Sequence, residues 1–183
     1  PSQPPWNAVA KVQTNTAMRC TGVLIGPTVV LTAAHCLYNR RTGTLLQSVS
    51  LHVLFGYERA GYRWHRPVTR VTVGAGFDGG KKQAQTADWA RLELAEPVPV
   101  VPLPLFEGTV AAGVAVALAG YNQDRAELLM ADSSCHVRQA AQCTAECGDD
   151  ASLGPARKTG GDGVERASAG RGYDDQRGQK KFG

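Results

Sequence analysis

The chain has 183 residues, 43% of them hydrophobic and 20% charged, with a formal net charge of +4. That length and apolar content suffice for one ordinary domain or two small ones with a sizeable core. The mild charge excludes a nucleic-acid-binding reading, since Arg40 and Arg41 read as a solvated loop and Lys180-Lys181 as a tail, and no run of about 18 apolar residues predicts a membrane span. The first residue is Pro1, which fits either a removed leader or a piece of a longer protein.

From the first residues onward the chain reads as short strands between turns. "AVAKVQ" (8–13) alternates apolar and polar residues and predicts a strand. "CTGVLIG" and "TVVLTAA" are two apolar runs broken at Gly26-Pro27, a hairpin signal. "SVSLHVLFGY" (48–57) is β-branched, apolar and aromatic, and "PVTRVTVGAGF" alternates from Val68 to Val73. "DWARLELAEPV" (88–98) sets Trp89, Arg91 and Glu93 against Ala90, Leu92 and Leu94. "EPVPVVPLPLFEG" (96–108) carries too many prolines for a central strand and predicts an extended connector. "GVAVALAGY" (113–121) is a further apolar strand, "DRAELLMAD" (124–132) is too short to establish a helix, and "CHVRQA" opens one more strand. Many short strands with Gly and Pro turns give an all-β barrel or sandwich class.

After about residue 140 the character changes. Large apolar residues reduce to Leu153, Val164, Tyr173 and Phe182, and no period of 2 or 3.6 survives. Such a segment cannot offset its ordering entropy by burial, so disorder is the expectation. The abrupt change also fits a slip of reading frame near residues 138–147, with an out-of-frame tail behind it.

Five cysteines stand at Cys20, Cys36, Cys135, Cys143 and Cys147. The Cys20/Cys36 spacing suits a disulfide across a hairpin, worth on the order of 3 kcal/mol, or else two buried free thiols. A disulfide would imply an oxidising compartment, secreted or periplasmic. Neither CxxC nor HxxxH occurs, so no metal ligand set is expected.

"LTAAHC", with a cysteine sixteen positions upstream in "CTGVLIG", resembles the histidine segment of the trypsin/chymotrypsin-like serine proteases of bacterial secreted type. "DWARLEL" resembles that family's aspartate segment, and "VALAGYNQDR" (116–125) the strand that opens its second barrel. The resemblance covers residues 5–140 and implies a double β-barrel. Residues 1–108 would form a complete first barrel carrying His35 and Asp88, residues 109–140 the start of an incomplete second, and residues 141–183 the tail. It implies a Cys20–Cys36 bridge, His35 as general base and Asp88 as the carboxylate that fixes its tautomer. It further implies a polypeptide substrate, peptide-bond hydrolysis through an acyl-enzyme, and no cofactor. Asp78 competes for the carboxylate role, but "FDGG" reads as a turn. His52, His65 and His136 stand in no motif, and Trp64 and Trp89 read as packing residues.

The third catalytic member is where the pattern departs. The family carries a segment of the type Gly-Asp-Ser-Gly-Gly-Pro, whose glycines let two backbone N–H groups face the developing oxyanion. The nearest string is "CGDDASLGP" (147–155), in which two residues intrude before Ser152 and Leu153 stands where glycine belongs. Ser133, Ser134 and Ser168 fit less well. The remaining half of the Cys135 bridge would be Cys147 or Cys143. "PPWNAVAKV" stands where zymogen-activated members carry Ile-Val-Gly-Gly. Two functions follow: a serine-type endopeptidase impaired in this chain, or a non-enzymatic protease homologue that binds a partner.

Overall fold

The computed structural model describes residues 2–15, 19–39, 41–79, 87–122, 125–139 and 144–147. Eleven strands are present among them: β1 (Val9–Thr14), β2 (Arg19–Gly26), β3 (Val29–Thr32), β4 (Tyr38–Asn39), β5 (Thr44–Leu45), β6 (Leu51–Phe55), β7 (Trp64–Val73), β8 (Ala90–Leu94), β9 (Ala115–Gly120), β10 (Met130–Gln139) and β11 (Thr144–Glu146). Six of them close an antiparallel barrel in the order β1-β2-β3-β8-β7-β6, with β1 pairing back onto β6.

The barrel follows from period-2 patterning. Ala10 and Val12 on β1, Leu51, Val53 and Phe55 on β6, and Ala90, Leu92 and Leu94 on β8 all point into one core. Their alternating partners face out, as a strand's pleat requires. The Gly26-Pro27 break is the β2–β3 turn, as its residues predict. Gly22 lets the walls approach closely, since a Cβ there would meet Val30 Cγ1 at 2.7 Å and Val12 Cγ2 at 2.9 Å. The proline-rich connector forms no strand, yet it docks on the barrel: Val98 and Val100 join the core, and the Leu103 N–H donates to the Leu24 carbonyl (2.9 Å).

The second unit is an open three-stranded sheet, β11-β10-β9, among the described residues. It continues past residue 140, where the sequence suggested a structureless tail, because Thr144–Glu146 pairs with β10. A second disulfide, Cys135–Cys147, closes over that pairing. Of the two partners considered for Cys135 it takes Cys147. Cys143, Ser152, Ser168 and everything from residue 148 on lie outside the described residues.

Candidate active site

Strand register brings His35 and Asp88 together. β3 and β8 are antiparallel with Thr32 opposite Ala90, so the end of one and the start of the other share one rim of the barrel. His35 follows Thr32 by three positions and Asp88 precedes Ala90 by two. Beyond Thr32 the chain leaves the sheet. Ala33 is extended (φ −81°, ψ 139°) and a 3₁₀ turn runs over Ala34–Leu37. Ala33 and Ala34 are fully packed, and small side chains are what allows that tight exit.

Both oxygens of Asp88 engage the histidine. Oδ1 accepts the backbone N–H of His35 at 2.9 Å, and Oδ2 lies 2.6 Å from ring Nδ1. The carboxylate accepts, so Nδ1 carries the proton, and proton-accepting work falls to Nε2. The two side chains keep 28% and 17% of their surface, which leaves the ring reachable while its partner is shielded. Asp88, rather than Asp78, makes this contact. Asp78 stands exposed just before Gly79, which has a positive φ and lies against the Tyr38 ring; Gly80, the rest of the expected turn, lies outside the described residues.

Two devices hold the pair. The Cys20–Cys36 disulfide ties the 3₁₀ turn to β2, with Cα atoms 6.2 Å apart. Gly74, just past β7, donates its N–H to the Trp89 carbonyl (2.9 Å), and a Cβ there would lie 2.3 Å from the Ala87 carbonyl oxygen. Only glycine lets β7 pass that close to the segment carrying Asp88. Trp64 packs against the barrel core as read, whereas Trp89 is 41% exposed, so it is not a core residue.

The second sheet is anchored beside this rim. The Tyr121 N–H donates to Thr21 Oγ1 (2.9 Å), and Thr32 Oγ1 donates to the Thr21 carbonyl (2.8 Å). Tyr121 is buried and its hydroxyl donates to the Tyr57 carbonyl (3.1 Å), and burial pushes its phenol above the ordinary range. Of the serines considered, Ser134 donates its hydroxyl to Asp132 Oδ1 (2.6 Å), and its N–H donates to the same oxygen (2.8 Å). That hydroxyl is committed to a turn at the β9–β10 bulge.

Two histidines without a motif also meet. His52 on β6 and His65 on β7 place Nδ1 and Nε2 2.9 Å apart. Burial first, then His52 and Arg66, hold the His65 ring below its ordinary pKa. The residues are thirteen positions apart, and only the pairing of Leu54 with His65 aligns them, a register no local pattern reveals. His136 is exposed on β10.

A family model for trypsin matches residues 1–159, reaching past residue 140, where the motif resemblance ends. Among solved structures, the VesB protease of Vibrio cholerae superposes with a TM-score of 0.57 at 17% identity, covering 72% of this chain and 41% of that one. A Glu endopeptidase gives a TM-score of 0.59 at 19% identity, over 81% of this chain and 76% of that one. Kallikrein-related peptidase 10 gives 0.54 at 23%, over 74% and 59% respectively. The chain thus spans less than half the length of VesB, and at these identities the likeness is one of fold. The family match itself covers most of the 183 residues, and on that ground the chain belongs to the trypsin family.

Proposed function

We propose that this chain carries the base half of a serine-type endopeptidase site, with His35 as general base and Asp88 as its orienting carboxylate. The two-point contact between Asp88 and His35 carries the reading. A serine hydroxyl attacks a peptide carbonyl only as a base takes its proton, and imidazole suits that transfer near neutral pH. Asp88 fixes the tautomer that leaves Nε2 able to accept the proton and stabilises the imidazolium that results. The substrate is a polypeptide, cleaved through an acyl-enzyme without a cofactor.

Turnover by this chain is impaired. The string around Ser152 lacks the uninterrupted Gly-Asp-Ser-Gly order that aims two N–H groups at an oxyanion, and loss of nucleophile or oxyanion donors each costs orders of magnitude. Two disulfides are compatible with an extracellular or periplasmic protein, and no helix among the described residues is long and apolar enough to cross a membrane. We place its work in an oxidising compartment, because disulfides persist there.

Hydrolysis of unfolded casein by the 183-residue chain tests the reading. The expected rate is close to background, and whatever exceeds background disappears in His35→Ala. Robust cleavage that survives His35→Ala would overturn the assignment.

A further inference from the structure

The outer face of the barrel holds a second constellation, remote in sequence from His35. On β6 the residues Leu51, Val53 and Phe55 point into the core, so His52 and Leu54 face outward. β1 presents Gln13 directly opposite His52, and β7 presents His65 opposite Leu54. With Tyr57, Ala60 and Tyr62 these side chains line an open groove of about 380 Å³.

The two imidazoles in it are oriented. Asn15 Oδ1 lies 3.2 Å from His52 Nε2, so Nε2 carries the proton and donates to it. That leaves the lone pair of His52 Nδ1 directed into the groove, where His65 Nε2 approaches to 2.9 Å. Tyr62 stands edge-on to the His65 ring, 6.0 Å between centroids. Arg66, next to His65 in sequence, is turned aside: Nε and Nη2 donate to the Pro97 carbonyl (3.1 Å each) and Nη1 to the His65 carbonyl (2.9 Å). The Arg66 guanidinium therefore does not compete for the space in front of the ring nitrogens.

We propose that His52 and His65 form a divalent transition-metal site on the outer face of the barrel, taking a copper(II)-class ion. Two nitrogens each bound to one metal at about 2.05 Å stand about 2.9 Å apart when the angle at the metal is a right angle, and about 3.3 Å apart at the tetrahedral angle. The observed 2.9 Å is the length of the N–H···N hydrogen bond, and because it equals the right-angle spacing the rings need only turn so that both lone pairs meet an ion off the N···N line, without moving apart; tetragonal nitrogen sites favour Cu(II) or Ni(II), with Cu(II) the strongest in the affinity order. The proton accounting is simple. In the free protein His65 Nε2–H donates to His52 Nδ1. On binding, that proton is replaced by one on His65 Nδ1, both rings remain neutral, and two waters leave the hydrated ion. The open groove leaves the other coordination positions to water. Asn15 acts as a positioning residue, fixing the tautomer of His52 as hydrogen-bonded partners of metal-bound histidines do. An ion there would clip β6 to β7 across the loop containing Arg59 and Ala60, both at positive φ.

Titration of the 183-residue chain with copper(II) sulfate in the presence of glycine as competitor, read by calorimetry and electron paramagnetic resonance, tests this. The expected result is one site with two imidazole nitrogens on the metal. His52→Gln and His65→Gln each weaken it at least tenfold, Asn15→Ala weakens it less, and His136→Gln leaves it unchanged. A second measurement needs no variant: copper(II) broadens the ring signals of His52 and His65 in the wild-type chain before those of His35 and His136. Affinity equal in wild type and the His52/His65 double variant, or broadening that begins at His35 or His136, would show the contact to be a hydrogen-bonded pair only and overturn the site.

Discussion

At the residue scale the chemistry concentrates in one side chain holding another at two points. Asp88 accepts from both the backbone and the ring of His35, so it fixes where the imidazole stands as well as which nitrogen is protonated. Asp88→Asn keeps the shape but turns one oxygen into an N–H donor. The ring proton should then move from Nδ1 to Nε2, visible in the nitrogen shifts of a labelled imidazole. Losing a charged hydrogen bond at this shielded position should also lower stability by about 1–3 kcal/mol, read from the urea midpoint. A ring proton that stays on Nδ1 would contradict the assignment. The contact between His35 and Asp88 was legible because "LTAAHC" and "DWARLEL" are contiguous strings at strand ends. The His52–His65 pair was not, because it exists only through the β6–β7 register and has no local signature.

Elements were legible where one face is dry and the other wet. β8 alternates as read, with Ala90, Leu92 and Leu94 inside. β1 alternates too, but Lys11 on its outer face is only 1% exposed, because Tyr57 and Glu127 stand against it. Its ammonium pairs with Glu127 (3.2 Å) and stands 3.5 Å over the Tyr57 ring. A buried cation persists only with such partners. The segment 113–121 reads as an apolar strand, yet most residues of β9 are partly or fully exposed, because the sheet it joins is open among the described residues. The β4–β5 hairpin escaped notice because two-residue strands are too short for any period to show.

Glu127 is the clasp between the two units. It accepts from the Tyr57 hydroxyl (2.5 Å), Lys11 and the Ala60 N–H (3.0 Å). The Tyr57 hydroxyl chiefly, then Lys11 and the Ala60 N–H, hold its carboxyl below the ordinary range, against a smaller opposing effect of burial. A depressed carboxylate contributes stability that is complete above its unfolded pKa, about 4.3, and is lost as pH falls through the lower folded value. Acidification below about pH 4 should therefore loosen residues 125–129 from the barrel, seen as faster exchange of the Arg59 amide, which donates to the Glu127 carbonyl (2.9 Å). In Glu127→Gln that acid-dependent step disappears, and the effect is modest because the carboxylate is 48% exposed. An Arg59 amide whose protection is indifferent to pH in the wild type would refute the clasp.

At the scale of the whole molecule, a closed six-stranded barrel with its disulfide-pinned rim is joined to an open three-stranded sheet. The first has no free edge, since its order β1-β2-β3-β8-β7-β6 closes on itself. On the proposed reading it supplies the base, His35, and its carboxylate, Asp88. The nucleophile and oxyanion donors belong, in this family's plan, to the other half, where the sequence departs most from the pattern. The composition change near residue 140 was legible, but the Cys135–Cys147 bridge and the strand Thr144–Glu146 were not, because polar three-residue strands carry no hydrophobic signal. The central claim is that the base half is built while serine reactivity is not. Labelling with a fluorophosphonate probe, followed by peptide mapping, tests it most directly. The account predicts no stoichiometric adduct on any serine, an outcome that also fits a protease homologue kept for binding. A stoichiometric adduct on Ser152 that is lost in His35→Ala would contradict it and make this chain a working serine peptidase.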